Sequence, residues 1–255
     1  MKNITMKLVG QLIVSCQAAP GTPFGNEASI AAMALCAAKG GAGGLRVCWG
    51  DNIRAVKAAT DLPVIGIHKR LSKGPMRPDK VYITPDLEAA ADAMDAGADV
   101  LGMDFTPRGR SWRDIEALLA AVRARWPDIA VMADISTLEE GKAAAAMGVD
   151  IVSTTLSGYT LDSLRQMDID YAALVKQYLK TGEIPEYEPD LALIADLKAA
   201  VDIPINAEGR IWERGQMLAA FNAGAAMVTV GSAITAPDAI TKHFAEALRQ
   251  HGQGK

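Results

Sequence analysis

The chain has 255 residues, half of them hydrophobic, and a formal charge of −4. That length suits one α/β barrel of about 250 residues, large enough to bury a core without disulfides or structural metal. The mildly acidic balance, with Lys and Arg scattered along the chain, excludes an electrostatic footprint for nucleic acid, and no stretch reaches the roughly 20 apolar residues of a membrane span.

The first predicted strand is Leu8 to Ser15. Lys7 before it and Cys16 after it imitate a short leader with a modifiable cysteine. However, Gly10 and Gln11 interrupt the apolar run, and cleavage there would remove a strand that the rest of the chain needs. Cys16, Cys36 and Cys48 form no C-x-x-C pair, and His68, His243 and His251 show no zinc-ligand spacing. The expectation is a cytoplasmic protein with three buried free thiols.

A rhythm then repeats along the chain. Gly40 to Gly44 precedes Leu45 to Val47, and Asp61-Leu62-Pro63 introduces Val64 to Ile67. Gly97-Ala98-Asp99 precedes Val100 to Met103, and Pro127-Asp128 precedes Ile129 to Ala133. Gly148-Val149-Asp150 leads into Ile151 to Ser153, Asp202-Ile203-Pro204 into Ile205 to Ala207, and Gly224-Ala225-Ala226 into Met227 to Val230. Each apolar run is short and nearly continuous, as a strand buried on both faces requires. Between them lie Ala-rich stretches with helical spacing, such as Asp86 to Ala96 and Trp112 to Arg125. Eight strand–helix units predict parallel strands with right-handed crossovers, closed into a single (β/α)₈ TIM barrel over residues 1–255. One connection is far too long. Residues 161–189, after strand six, carry their own helical pattern from Asp170 to Lys180. They predict a helical insertion: a lid or contact surface over the active face, or a peripheral decoration.

In such a barrel the chemistry sits at the C-terminal ends of the strands. Those ends read Ser15 and Gln17, Arg46, His68-Lys69-Arg70, Asp104, Asp134, Thr154-Thr155, Asn206 and Glu208, then Gly231-Ser232. The small residues of Glu208-Gly209-Arg210 and Gly231-Ser232 let backbone N–H groups approach an anion, which points to a phosphorylated small molecule. No G-x-G-x-x-G follows a strand and no P-loop is present, so neither a dinucleotide nor a nucleoside triphosphate is indicated. Lys69 should emerge into the barrel mouth, where Arg46 and Arg70 would disfavour its charged form and suit it to act as a base. Glu208 stands across the ring as a partner acid, or as a carboxylate that only holds Arg210. The same amine would suit a Schiff base, and the same phosphate turns would suit a non-catalytic sensor of sugar phosphates.

Longer motifs narrow the choice. Leu12-Ile13-Val14-Ser15-Cys16-Gln17-Ala18, Leu62 to Ile67 with Lys69-Arg70, and Val81-Tyr82-Ile83-Thr84-Pro85 resemble segments of the N-acetylmannosamine-6-phosphate 2-epimerase family. Met132 to Gly141, Thr154 to Thr160, Ala207 to Ile211 and Val230 to Thr235 are similarly close to it. The resemblance runs from strand one to strand eight, departing at His68, at Val47-Cys48-Trp49 and in 161–189. It implies interconversion of N-acetylmannosamine 6-phosphate and N-acetylglucosamine 6-phosphate without metal or organic cofactor, in a homodimer. It further implies Lys69 and Glu208 as acid/base residues, with Ser15, Gln17, Arg46, Asp134 and Thr155 around the sugar. Gly209, Arg210, Gly231 and Ser232 would hold the phosphate.

Overall fold

The computed structural model describes residues 2–71, 79–181 and 188–253. In chain order they form α1 (Asn3–Leu8), β1 (Leu12–Cys16), α2 (Glu27–Lys39), β2 (Gly44–Cys48), α3 (Gly50–Ala59) and β3 (Val64–Ile67). Then come α4 (Leu87–Asp95), β4 (Val100–Asp104), α5 (Trp112–Arg125), β5 (Ala130–Asp134), α6 (Leu138–Ala146) and β6 (Ile151–Ser153). A 3₁₀ turn (Thr154–Leu156) leads to α7 (Leu161–Gln166), α8 (Tyr171–Thr181) and α9 (Leu191–Ala200). The chain finishes with β7 (Ile205–Glu208), α10 (Arg214–Asn222), β8 (Met227–Val230), α11 (Ser232–Thr235) and α12 (Pro237–Gln253). The eight strands pair in parallel in sequence order, and β8 closes on β1 through Leu12–Val228, Ile13–Thr229 and Val14–Val230. The barrel fold expected from the repeat is the fold observed.

Strand alternation sorts the side chains into two cores. Val14, Leu45, Val64, Leu101, Val131, Val152, Ile205 and Val228 point outward and pack under the helices. Ile13, Ile65, Val100, Ala130, Met132, Ile151 and Met227 point inward and fill the lower barrel. Leu8 completes that inner cluster, which corrects the first strand. Gly10, at φ 76°, breaks the chain after α1, and its N–H donates to Ala226 O at 2.7 Å. Leu8 therefore ends a helix that plugs the barrel floor, and the strand starts only at Leu12.

Three strands run on past their last apolar residue to end in a carboxylate: β4 at Asp104, β5 at Asp134 and β7 at Glu208. Asp104 and Asp134 are register partners. The upper barrel interior is thus polar by construction. Gly102 makes room for it, since a Cβ there would lie 2.6 Å from Ile67 Cγ2.

The long connection after β6 contains α7 and α8 before the barrel helix α9, with the expected helix of 170–180 found at Tyr171–Thr181. Its stretch 182–187 lies outside the described residues. α7 is tied down: Thr160 donates to Ser136 Oγ at 2.8 Å, and Leu164 is buried. Asp190 caps α9 by accepting from Leu193 N at 3.0 Å and also accepts from Ser157 Oγ at 2.7 Å.

Candidate active site

Arg46, on β2, organises the mouth. Its guanidinium donates to Asp134 twice, Nη1 to Oδ1 at 2.9 Å and Nη2 to Oδ2 at 2.7 Å. Nη1 also donates to Glu208 Oε2 at 2.9 Å. Burial alone would push the guanidinium's pKa down, but Asp134 and Glu208 more than offset it and the net shift is upward. One cation therefore joins carboxylates from β5 and β7, a geometry that the planar fork of arginine allows and a lysine ammonium does not.

Glu208 is 13% exposed. Arg46, Thr155 Oγ1 at 3.2 Å and Asn206 Nδ2 at 3.4 Å all approach the same oxygen, Oε2. Burial raises its pKa above the ordinary carboxylate range; Arg46 and Lys69 pull it down, Asp134 pushes it up, and the net direction is upward. It can therefore hold a proton at a pH where an exposed glutamate has lost it.

Lys69 stands two residues past β3, four strands around the ring from β7 and so opposite Glu208. Its backbone is fixed on three sides. Trp49 Nε1 donates to Lys69 O at 3.0 Å, Lys69 N donates to Cys48 Sγ at 3.3 Å, and an antiparallel bridge joins Lys69 to Ile83. Trp49 holds this position at φ 71°, in the left-handed region disfavoured for a bulky residue. Arg70 is exposed and pairs with Asp86 and Glu88. Arg46 pairs with Asp134 and Glu208. His68 turns outward, its Nδ1 at 2.7 Å from Asp92 Oδ2.

At the end of β1, Gln17 Nε2 donates to Ser15 Oγ at 2.7 Å, while Gln17 Oε1 is buried without a partner among the described residues. Gly231 lies directly beside, since a Cβ on it would be 3.4 Å from Ser15 Cβ. Thr155 Oγ1 donates to Asp134 Oδ1 at 2.6 Å. Ser15, Gln17 and Gly231 thus gather at one side of the mouth, where Ser15 is the register partner of Arg46, and Ser232 follows Gly231; Arg46, Asp134, Thr155 and Glu208 are joined to one another. Arg210 is placed differently from a free anion ligand. Its guanidinium donates to the carbonyls of Ser157 and Glu188, at φ 58° and just after Gly209 at φ 112°. It fastens the two ends of the long β6–α9 connection to the β7 turn.

The comparisons with known proteins bear on the whole chain. A family model described as "Putative N-acetylmannosamine-6-phosphate epimerase" matches residues 30–184 and 178–250. A protein of Shouchella clausii named "Putative N-acetylmannosamine-6-phosphate 2-epimerase" is 37% identical over 249 residues, covering 98% of this chain and 100% of that one. The chain belongs to the N-acetylmannosamine-6-phosphate 2-epimerase family. A bifunctional NanE/NanK enzyme of Brucella melitensis is 41% identical over 97% of this chain, which corresponds to 42% of that longer protein. The solved N-acetylmannosamine-6-phosphate 2-epimerase of Clostridium perfringens superposes with a TM-score of 0.79 at 33% identity, covering 96% of each chain. A thiamine phosphate pyrophosphorylase of Pyrococcus furiosus, at 16% identity and a TM-score of 0.55, shares the fold alone.

In this epimerase-family barrel two further polar side chains, Ser153 and Thr229, join the residues that the strand ends announce. Thr229 Oγ1 donates to Asn206 Oδ1 at 2.9 Å, and Asn206 Nδ2 donates to Ser153 Oγ at 2.8 Å. Ser153 Oγ is 2.7 Å from Thr155 Oγ1, which in turn donates to Asp134. With the amide oriented so, every hydroxyl has one proton to give, and the chain runs one way from β8 to β5. Ser153 and Thr229 were not among the expected site residues. Their signal is a polar side chain at an inward position inside an otherwise apolar strand.

Proposed function

We propose that the protein interconverts N-acetylmannosamine 6-phosphate and N-acetylglucosamine 6-phosphate by removing and returning the proton at carbon 2. That proton is acidic only beside a carbonyl, so the sugar reacts in its ring-opened aldehyde form. Lys69 takes the proton from carbon 2, the carbon–hydrogen electron pair forms the double bond between carbons 1 and 2, and the carbonyl π pair moves onto the oxygen of carbon 1 to give an enolate. Return of a proton to the opposite face gives the epimer. Glu208, with its raised pKa, carries the proton at the ring or carbonyl oxygen, which is the role its one-sided hydrogen bonding on Oε2 leaves open. Arg46, Gln17 and Lys69 offset the developing negative charge, an effect of about 3 kcal/mol for a well-placed donor. Asp134 and Thr155 hold Arg46 and Glu208 in register, with Ser15 and Gln17 at the sugar.

Gly209, Arg210, Gly231 and Ser232 are the proposed phosphate end, so binding energy spent far from carbon 2 orients it. Arg210 reaches a phosphate there only through the part of its guanidinium not engaged with Ser157 and Glu188. The observation that carries the proposal is the opposition of Lys69 to a buried Glu208 that shares Arg46 with Asp134. The resemblance to the Clostridium perfringens epimerase supports the substrate.

The protein is proposed to act as a homodimer in the cytoplasm. Burial raises the thiol of Cys16 to about 12 and that of Cys48 to about 11, which suits cysteines kept reduced and unreactive. Cys36 departs from the expectation, because it is exposed.

A proton NMR time course with N-acetylmannosamine 6-phosphate in deuterated water tests the reading. The gluco isomer should appear with deuterium at carbon 2. Tight binding without turnover would favour a sensor, and a borohydride-trapped adduct on Lys69 would favour Schiff-base chemistry.

A further inference from the structure

Lys69 sits where the barrel ladder no longer holds the chain. The register of β3 with β2 ends at Ile67 and that with β4 ends at Gly66. A lysine carries its amine on a long flexible stem, so the place of its backbone decides whether the nitrogen meets a bound carbon at proton-transfer distance.

The corner between β2 and α3 takes over from the ladder. Both backbone polar groups of Lys69 meet side chains of that corner: its N–H donates to Cys48 Sγ at 3.3 Å, and its carbonyl accepts from Trp49 Nε1 at 3.0 Å. Trp49 N in turn donates to Ile67 O at 2.9 Å. One carboxylate oxygen on α4 ties the two flanks together. Asp92 Oδ2 accepts from Gly50 N at 2.7 Å and lies 2.7 Å from His68 Nδ1. The residue after Trp49 and the residue before Lys69 therefore share one oxygen. Only glycine allows that approach, since a Cβ on Gly50 would lie 2.6 Å from Asp92 Oδ1 and 2.8 Å from Asp92 O. Asn52 Nδ2 closes the corner by donating to Cys48 O at 2.9 Å.

Trp49 stands in this corner at φ 71° and ψ 140°, a backbone conformation that suits glycine. Such a conformation persists where the surroundings hold it, and it recurs beside functional groups. The ring packs against the buried Cys48, Ile67, Ile83 and Leu156. Phenylalanine would meet those apolar contacts as well. What singles out tryptophan is the indole N–H, and that bond goes to the carbonyl of the residue that bears the amine.

We propose that Trp49 is a positioning residue of the reaction, its indole N–H holding the Lys69 carbonyl and, through it, the line of the amine to carbon 2. This rests on the reading of Lys69 as the base and adds a residue that acts through it.

The test uses the full-length chain and N-acetylmannosamine 6-phosphate. Trp49→Phe keeps an aromatic ring and removes the N–H. It should lower kcat by roughly 10- to 100-fold, with deuterium entry at carbon 2 falling in step and KM staying within about twofold. Urea melts should show the variant fully folded under assay conditions. Trp49→Gly suits the φ of this position and decides the matter if Trp49→Phe does not fold; it should lose at least as much kcat. A benzothienylalanine placed at position 49 copies the shape of the indole without its N–H, so it should reproduce the loss, whereas a role confined to packing predicts the wild-type rate. Wild-type kcat with benzothienylalanine, or in a folded Trp49→Phe or Trp49→Gly variant, overturns the positioning role alone. So does a change confined to KM. A wild-type chain that neither turns over nor exchanges deuterium overturns the proposed reaction, and this inference with it.

Discussion

Arg46 and Asp134 meet end-on across the barrel mouth, with bonds of 2.9 and 2.7 Å and side chains 1% and 0% exposed. Because Nη1 also serves Glu208, the pair is the keystone of a three-residue cluster rather than an isolated ion pair. Removing the cation would leave two carboxylates facing each other out of water. Arg46→Met should therefore destabilise the protein by about 3–5 kcal/mol. Urea unfolding checks this, and Arg46→Lys should recover only part of the loss, because an ammonium lacks the planar fork that meets both oxygens of Asp134 side by side.

Lys69→Met should lower kcat by roughly 10²–10⁴-fold, the usual contribution of a positioned base. Deuterium entry at carbon 2 should fall in step, while affinity for a phosphate ester changes little. Rapid-quench kinetics and isothermal calorimetry measure the two separately. Exchange persisting at the wild-type rate would remove Lys69 from the reaction.

Glu208 predicts a pH signature. Burial raises its pKa in the folded protein, so the folded state binds that proton more tightly than the unfolded chain does. Its stabilising contribution is complete below the ordinary glutamate pKa and is lost as pH rises through the raised folded value. Glu208→Gln should flatten that loss in a series of urea melts from acid to neutral pH. In the kinetics, it should also remove the limb of the kcat/KM profile that lies above the ordinary carboxylate range.

Two glycines should respond in opposite directions to one added methyl group. At Gly102 the new Cβ would sit 2.6 Å from Ile67 Cγ2 and 3.7 Å from Asp134 Oδ2. Gly102→Ala should cost about 1–3 kcal/mol through overpacking and disturb the site. At Gly215, in the first turn of α10, a Cβ meets nothing within 4 Å. Gly215→Ala should stabilise by about 0.4–1 kcal/mol by restricting the unfolded chain. Thermal melts of both variants check the pair.

The strand-by-strand repeat made the barrel legible because strands buried on two faces write themselves as short apolar runs, and glycine or proline turns frame each one. The same logic found Trp112–Arg125 to the residue, and a reciprocal capping box between Ser111 and Asp114 fixes its first turn. It failed at Leu8, where an apolar residue could belong to a strand or to a helix plugging the floor, and periodicity over so few residues does not separate them. It also ended β4, β5 and β7 too early, because polar side chains inside a barrel mouth look like loop residues when only hydrophobicity is read.

Residue identities alone established the eight-unit barrel, the gathering of ionisable groups at one end of it, and the motifs of an epimerase family. Only the tertiary structure decided what those groups do to one another. Arg46 faces Asp134 and Glu208, Arg70 turns to the surface, and Arg210 clamps a connection. The reason is physical: strand order and alternation are local properties of the chain. Which charge compensates which depends on distances across the closed ring, between residues separated by 88 and 162 positions in the chain.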